Sequence, residues 1–155
     1  MNKPINLQEI IDGMEMQVEG TSAYLNLKTG EVISVSDEDI RTAEEDEPFS
    51  HLRDWQLENI ITAIDVLENF EKYEELPSTF DINEYLMMND FCYEVDDQRR
   101  RDSLFEAIQG KGAFRRFKDK VNHLGIEQEW YAYRDRRYKQ IAIDWCNDLN
   151  LKYIE

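Results

Sequence analysis

Two glycines stand just ahead of a cluster of cations in Gly110-Lys111-Gly112-Ala113-Phe114-Arg115-Arg116-Phe117-Lys118-Asp119-Lys120. Glycines at a helix start leave backbone N–H groups open to an acceptor, and paired guanidiniums grip carboxylates or phosphates bidentately. Gly110, Lys111, Gly112, Arg115, Arg116 and Lys118 are therefore the candidate anion- or partner-binding residues. A helix start carries partial positive charge, so Arg115 and Arg116 cost about a few tenths of a kcal/mol each there, and something should compensate. The spacing is not that of a Walker A loop, which separates its glycines by four residues and ends in Lys-Ser/Thr. Two readings stand side by side. Either an external anion docks at this corner, or Arg115 and Arg116 pair with carboxylates of the acidic half while Phe114 and Phe117 anchor the helix.

A second constellation, Trp130-Tyr131-Ala132-Tyr133-Arg134-Asp135-Arg136-Arg137-Tyr138, interleaves rings and cations. Such a mixture stacks bases and holds phosphates in single-strand binders. Tyr131, Tyr138, Ile141, Trp145 and Leu149 also fit one apolar helical stripe, which makes them core. Arg134 falls within that stripe, so a semi-buried salt bridge to an acidic residue is expected. Nucleophilic chemistry finds no support, because no His, Cys or Ser arrangement suits it. His51 and His123 are the only histidines, and no Cys-x-x-Cys pair exists, so neither a metal site nor a cofactor is expected. Cys92 and Cys146 read as reduced, buried thiols. Residues 37–48 are rich in carboxylates, but they lack the spacing and glycine of an EF-hand and read as a solvated acidic connection holding one helical turn.

The charge is unevenly placed. The 155 residues carry 34 acidic and 18 basic side chains, net -16. Residues 1–98 hold 25 acidic against 5 basic, net −20, and residues 99–155 hold 9 against 13, net +4. The length points to one domain, 1–155, and the charge divides it into an acidic hairpin-and-helix half (1–98) and a basic helical half (99–155), a strongly dipolar molecule. The total charge counts against nucleic acid as a partner. No apolar run approaches the roughly 20 residues of a membrane span, and the N-terminus has no signal-peptide pattern; a cytoplasmic location is expected.

The elements that must position these residues follow from periodicity. Asn6-Leu7-Gln8-Glu9 has capping-box spacing, and Leu7, Ile10, Ile11 and Met14 share a face. Residues 23–27 and 32–36 form a hairpin around Thr29-Gly30. Leu52, Trp55, Ile60, Ile61, Ile64 and Leu67 mark a helix to about Phe70. Residues 72–77 either finish that helix or return as an edge strand beside the hairpin. Asp81-Ile82-Asn83-Glu84 resembles another capping box, ahead of a stripe of Tyr85, Met88, Phe91, Cys92 and Val95. Three further helices carry Arg101 to Ile108, Phe114 to Leu124, and about Glu127 to Leu149, with Gly110 and Gly125 as C-terminal caps. The expected fold is α+β: a small N-terminal antiparallel sheet, a hairpin with a possible third strand, and four to five helices around one core. An all-helical fold with a protruding hairpin is the competitor.

The run Ala107-Ile108-Gln109-Gly110-Lys111-Gly112-Ala113-Phe114-Arg115-Arg116-Phe117-Lys118-Asp119, followed by Glu129-Trp130-Tyr131, resembles a widespread bacterial family catalogued as an uncharacterised protein family (UPF type). That family shares a G-[KR]-G-A-F-R-R-F-K-D core, and the hairpin around Thr29-Gly30-Glu31 resembles its N-terminal region. The resemblance implies no activity, substrate or catalytic residue. The leading functional expectation is a non-enzymatic interaction or regulatory module that docks an acidic protein or small anion at the basic corner. One alternative is an enzyme on a phosphorylated or carboxylated small molecule clamped by Arg115 and Arg116. The other is nucleic-acid binding through residues 99–140.

Overall fold

The computed structural model describes residues 4–45 and 52–155. His51, Met1–Lys3 and the stretch Asp46–Pro48 of the acidic connection lie outside the described residues. The fold is α+β. In chain order the elements are β1 (Ile5–Asn6), α1 (Leu7–Glu15), β2 (Thr21–Asn26), β3 (Val32–Ser36), α2 (Asp37–Glu44) and α3 (Asp54–Glu68). A short 3-10 turn (Phe70–Lys72) leads to β4 (Tyr73–Glu75) and α4 (Thr79–Ile82). Then come α5 (Glu84–Glu94), α6 (Gln98–Ala107), α7 (Ala113–His123), α8 (Glu127–Asp148) and β5 (Tyr153–Ile154). Two compact units result, residues 1–81 with 142–155, and residues 82–141. Charge divides along the same line. The first unit carries 23 acidic and 6 basic side chains, net −17, and the second 11 and 12, net +1.

In the first unit, β2 is the central strand of a three-stranded antiparallel sheet in the order β3-β2-β4. Residues 72–77 therefore supply the third strand, with Tyr24 opposite Glu75 and Asn26 opposite Tyr73. Alternation sends Ala23 and Leu25 to one face and Tyr24 to the other. Ile33 and Val35 share the Tyr24 face, where they pack with Ala63 and Val66 of α3 and Ile40 and Ala43 of α2. On the opposite face, α1 lies so close that a Cβ on Gly13 would stand 2.8 Å from both Val32 and Leu76. That approach explains a glycine inside a helix, a placement that otherwise costs about 1 kcal/mol relative to Ala. Asn6 caps α1 by accepting from the Gln8 N–H at 2.9 Å. The first and last strands pair in parallel, Ile5 with Tyr153 and Asn6 with Ile154.

Several expectations need correction here. Residues 37–44 are a two-turn helix rather than a loop with one turn. The Ser36 hydroxyl accepts from the Asp39 N–H at 3.0 Å, and Asp37, Glu38 and Asp39 sit in the first turn, where the helix dipole favours negative charge. In α3 the buried residues are Ile60, Ala63 and Val66, while Trp55 and Ile61 are 60% and 63% exposed. The periodicity was right, but its phase differs by a fraction of a turn, because small Ala63 faces the sheet. The box at residues 81–84 also divides in two. Asp81 closes a reciprocal cap with Ser78 at the start of α4, and Asn83, in the left-handed region at φ 51, caps α5 through the Leu86 N–H.

Polar anchoring at the sheet edge is concentrated on Asp65. Its carboxylate accepts from the Tyr73 hydroxyl and from Asn69 at 2.7 Å, and it pairs with Lys72 at 3.3 Å. These donors, Tyr73 first, hold the Asp65 carboxyl below the usual carboxylate range. Partial burial and the adjoining carboxylate push the Tyr73 hydroxyl up to about 12. Burial likewise pushes the Cys92 thiol up to about 11 and raises that of Cys146. Both are free, buried thiols and poor nucleophiles at neutral pH.

The second unit is built around four rings. Phe91 of α5, Phe117 of α7, and Trp130 and Tyr133 of α8 are all buried. Phe117 meets Trp130 edge to face at 4.8 Å between centroids, and Phe91 meets Trp130 and Tyr133 at 5.4 Å each. Within this unit the buried residues of α8 are Trp130, Tyr133 and Tyr138, and the same helix runs on into the first unit with Ala142 and Cys146 buried. Of the expected stripe only Tyr138 is among them, and Tyr131 is 54% exposed.

Candidate functional site

The candidate corner lies between the end of α6 and the start of α7. Gly110 and Gly112 have φ of 72° and 77°, a region in which side chains are strained, so the turn needs glycine twice. The last carbonyls of α6, left without intrahelical partners, are each matched by a donor. Leu104 O accepts from the Ile108 N–H, Phe105 O from Gln109 Nε2 at 3.0 Å, and Ile108 O from the Tyr85 hydroxyl at 2.9 Å.

Arg116 completes the set. Its Nε donates to Ala107 O at 2.9 Å, while its two terminal nitrogens donate to the carbonyls of Gln109 and Lys111. The guanidinium therefore answers the negative end of α6 and clasps the turn. This is the compensation that a cation near the start of α7 requires, and the acceptors are carbonyls rather than carboxylates. A Cβ on Gly112 would lie 3.1 Å from Arg116 Nη1, so the second glycine also makes room for the clasp.

The other candidates behave differently. Lys111, Arg115 and Lys118 are exposed, and among the described residues their side chains make no hydrogen bond or ion pair. Phe114, expected as an anchor, is 47% exposed, and Ala113 and Phe117 take the inward positions instead. Phe114 and Lys118 are one turn apart and share a face. The structure thus keeps Gly110, Gly112 and Arg116 as the frame and leaves Lys111, Arg115, Lys118 and Phe114 outward. A clamp using both guanidiniums is not what this geometry offers.

The frame and the outward pair should separate under mutation. Arg116→Ala is expected to cost about 1–2 kcal/mol, since three backbone acceptors exchange a charged donor for water. Arg115→Ala should change stability by less than about 0.5 kcal/mol. Chemical denaturation of the two single variants measures both, and equal losses would contradict the division.

Other arginines are equally structural. Arg101 Nε donates to Val95 O at 3.0 Å and Nη2 to Asp96 O at 3.2 Å, tying α6 back onto the turn before it. Arg134 meets Glu84 of α5 through Nε at 2.7 Å and lies over the Tyr138 ring at 4.3 Å. The Tyr138 hydroxyl donates to the same Glu84 oxygen at 2.6 Å. This is the semi-buried bridge expected for Arg134. Arg137 pairs with Asp90 at 2.9 Å and donates to the Tyr133 hydroxyl at 2.6 Å. Partial burial works against its charge, but Asp90 and Tyr133 outweigh that and raise its pKa.

Nothing in the residue pattern announces the Arg116 clasp, because backbone carbonyls carry no residue signature. Among the described residues, no group of three His, Cys, Asp or Glu side chains is placed to hold a metal ion. Nor is any described helix long and apolar enough to cross a membrane.

Residues 2–155 match the family model described as uncharacterised protein family UPF0158. The UPF0158 protein PA5073 of Pseudomonas aeruginosa is 26% identical over 134 residues, covering 86% of this chain and 76% of that protein. No solved structure matches the chain. Since the family match runs from the second residue to the last, the chain belongs to uncharacterised protein family UPF0158.

Proposed function

We propose that the protein is a cytoplasmic, non-enzymatic interaction module whose α7 face docks an acidic partner. The observation that carries this reading is the exposure of Lys111, Arg115 and Lys118 without a counter-charge among the described residues, in a chain of net charge -16. The Arg116 clasp holds the turn from which Lys111 projects, so little ordering is left for a partner to impose. Half-exposed Phe114 adds an apolar anchor beside the cations, and aromatic anchors with arginines dominate protein interfaces. The net charge of -16 repels acidic peptides and nucleic acid alike at long range, so the partner is recognised through short-range contacts with these cations and Phe114.

The test is fluorescence anisotropy with a labelled Asp/Glu-rich peptide containing one Phe, run beside mixed single- and double-stranded oligonucleotides. Peptide binding should weaken with salt and fall at least about tenfold in the Arg115→Glu, Lys118→Glu double variant, with an unchanged melting curve. No peptide binding at low salt overturns the proposal. So does oligonucleotide binding that outcompetes the peptide.

A further inference from the structure

The second unit also contains a cleft of about 510 Å³, within the size range of small-ligand pockets. It is separate from the α7 face. One wall is a single stripe of α8, Glu129, Ala132, Tyr133 and Arg136, spaced i, i+3, i+4, i+7. The other lining comes from the end of α5, the turn after it and the first turn of α6, with Glu94, Asp96 and Arg100. Buried Phe91, Ile126 and Tyr133 form an apolar floor, and the small side chain of Ala132 leaves the stripe open at its middle.

The charges around this floor are not spent on each other. Asp97 is occupied, accepting from the Arg100 N–H as the cap of α6. Arg136 lies over the Tyr133 ring at 5.7 Å. Yet among the described residues the side chains of Glu94, Asp96, Glu129, Arg100 and Arg136 make no ion pair, although both signs line one cleft. Arg101, which clasps Val95 and Asp96 through their carbonyls, and the Arg137–Asp90 pair hold the two walls in place.

We infer that this cleft binds a zwitterion with surplus positive charge, a basic α-amino acid or short basic peptide. A simple anion would meet three unpaired carboxylates. A simple amine would gain nothing from Arg100 and Arg136, which stay exposed and hydrated. A basic amino-acid unit satisfies both sets: its cationic groups face Glu94, Asp96 and Glu129, and its carboxylate faces the two arginines. Its carbon chain covers the floor of Phe91, Ile126 and Tyr133. Charge-assisted pairs flanking an apolar floor give orientation as well as affinity.

The test is a titration of the isotope-labelled full chain, followed by amide shifts, with L-arginine, the dipeptide Arg-Phe, and agmatine, which lacks the carboxylate. Saturable shifts at Phe91, Ala132 and Tyr133 are expected with arginine, with the dipeptide, or with both, and the stronger of the two identifies the source. Agmatine should bind at least about tenfold more weakly. Ala132→Trp fills the cleft from an exposed position and should abolish the shifts; Glu129→Lys, on the rim, serves the same purpose should the tryptophan variant misfold. The inference fails if neither ligand saturates by about 10 mM. It also fails if agmatine matches arginine, or if affinity survives in the folded variant.

Discussion

Replacing Phe117 with Ala is expected to destabilise the 82–141 unit by about 3–5 kcal/mol, a large part of a domain's usual stability. Phe117 is fully buried, and its ring meets Phe91 at 6.2 Å and Trp130 at 4.8 Å, both edge to face. Truncation removes the transfer free energy of the ring and leaves a hole that two other aromatic side chains line. They sit on α5 and α8, whose relative positions are also set by Arg134–Glu84 and Arg137–Asp90, so the hole cannot easily collapse. Phe117→Leu fills most of the space and should lose less than half as much. Urea unfolding followed by far-UV circular dichroism measures both, and a loss below about 1 kcal/mol for the alanine variant would mean that these rings do not form the core.

Glu84→Ala is expected to cost about 2–3 kcal/mol, more than any exposed ion pair contributes. Glu84 Oε1 accepts from both Arg134 and Tyr138, so its loss removes the acceptor these two donors share. The two charged side chains remain 25% and 27% exposed, so water recovers part of the loss and the figure stays below that of a fully buried pair. Glu84→Gln keeps an acceptor oxygen at the same reach and should recover about half the stability. The Arg134→Met change, which removes the cation and keeps the apolar stem, separates charge from packing. If all three variants melt with the wild type, the bridge carries no stability and Arg134 is an ornament of the surface.

What the sequence made legible was the part governed by local chemistry. The face of Leu7, Ile10 and Met14, the hairpin around Gly30 and the two glycine caps after α6 and α7 each follow from residues adjacent in the chain. The α8 phase was not legible, because Trp130, Tyr131, Ala132 and Tyr133 place large rings on several sides of one turn. Burial is decided by what faces them, and small Ala142 and Cys146 mark the buried line more faithfully than the rings do. The acidic helix at 37–44 had a readable signal, a serine followed by three carboxylates, hidden beneath the larger impression of a charge run. At the candidate corner the residue types were correct, but adjacent arginines have opposite fates. Arg116 turns back to three carbonyls, and Arg115 points away.

The parallel pairing of β1 with β5 joins positions 5–6 to positions 153–154, and the unit they close consists of residues 1–81 with 142–155. Translation delivers these two parts far apart in time. Residues 82–141 form one uninterrupted stretch, and the four rings of their aromatic core all lie within it. The earlier segment must wait for the last turns of α8, including the Trp145 indole that donates to Glu75 O, and for the closing strand. Until then β1 has no strand to pair with and the Glu75 carbonyl at the edge of β4 lacks its indole donor, which is the kind of exposure that invites wrong pairing. The net charge of −17 on this unit opposes association between copies whose strands are still unpaired.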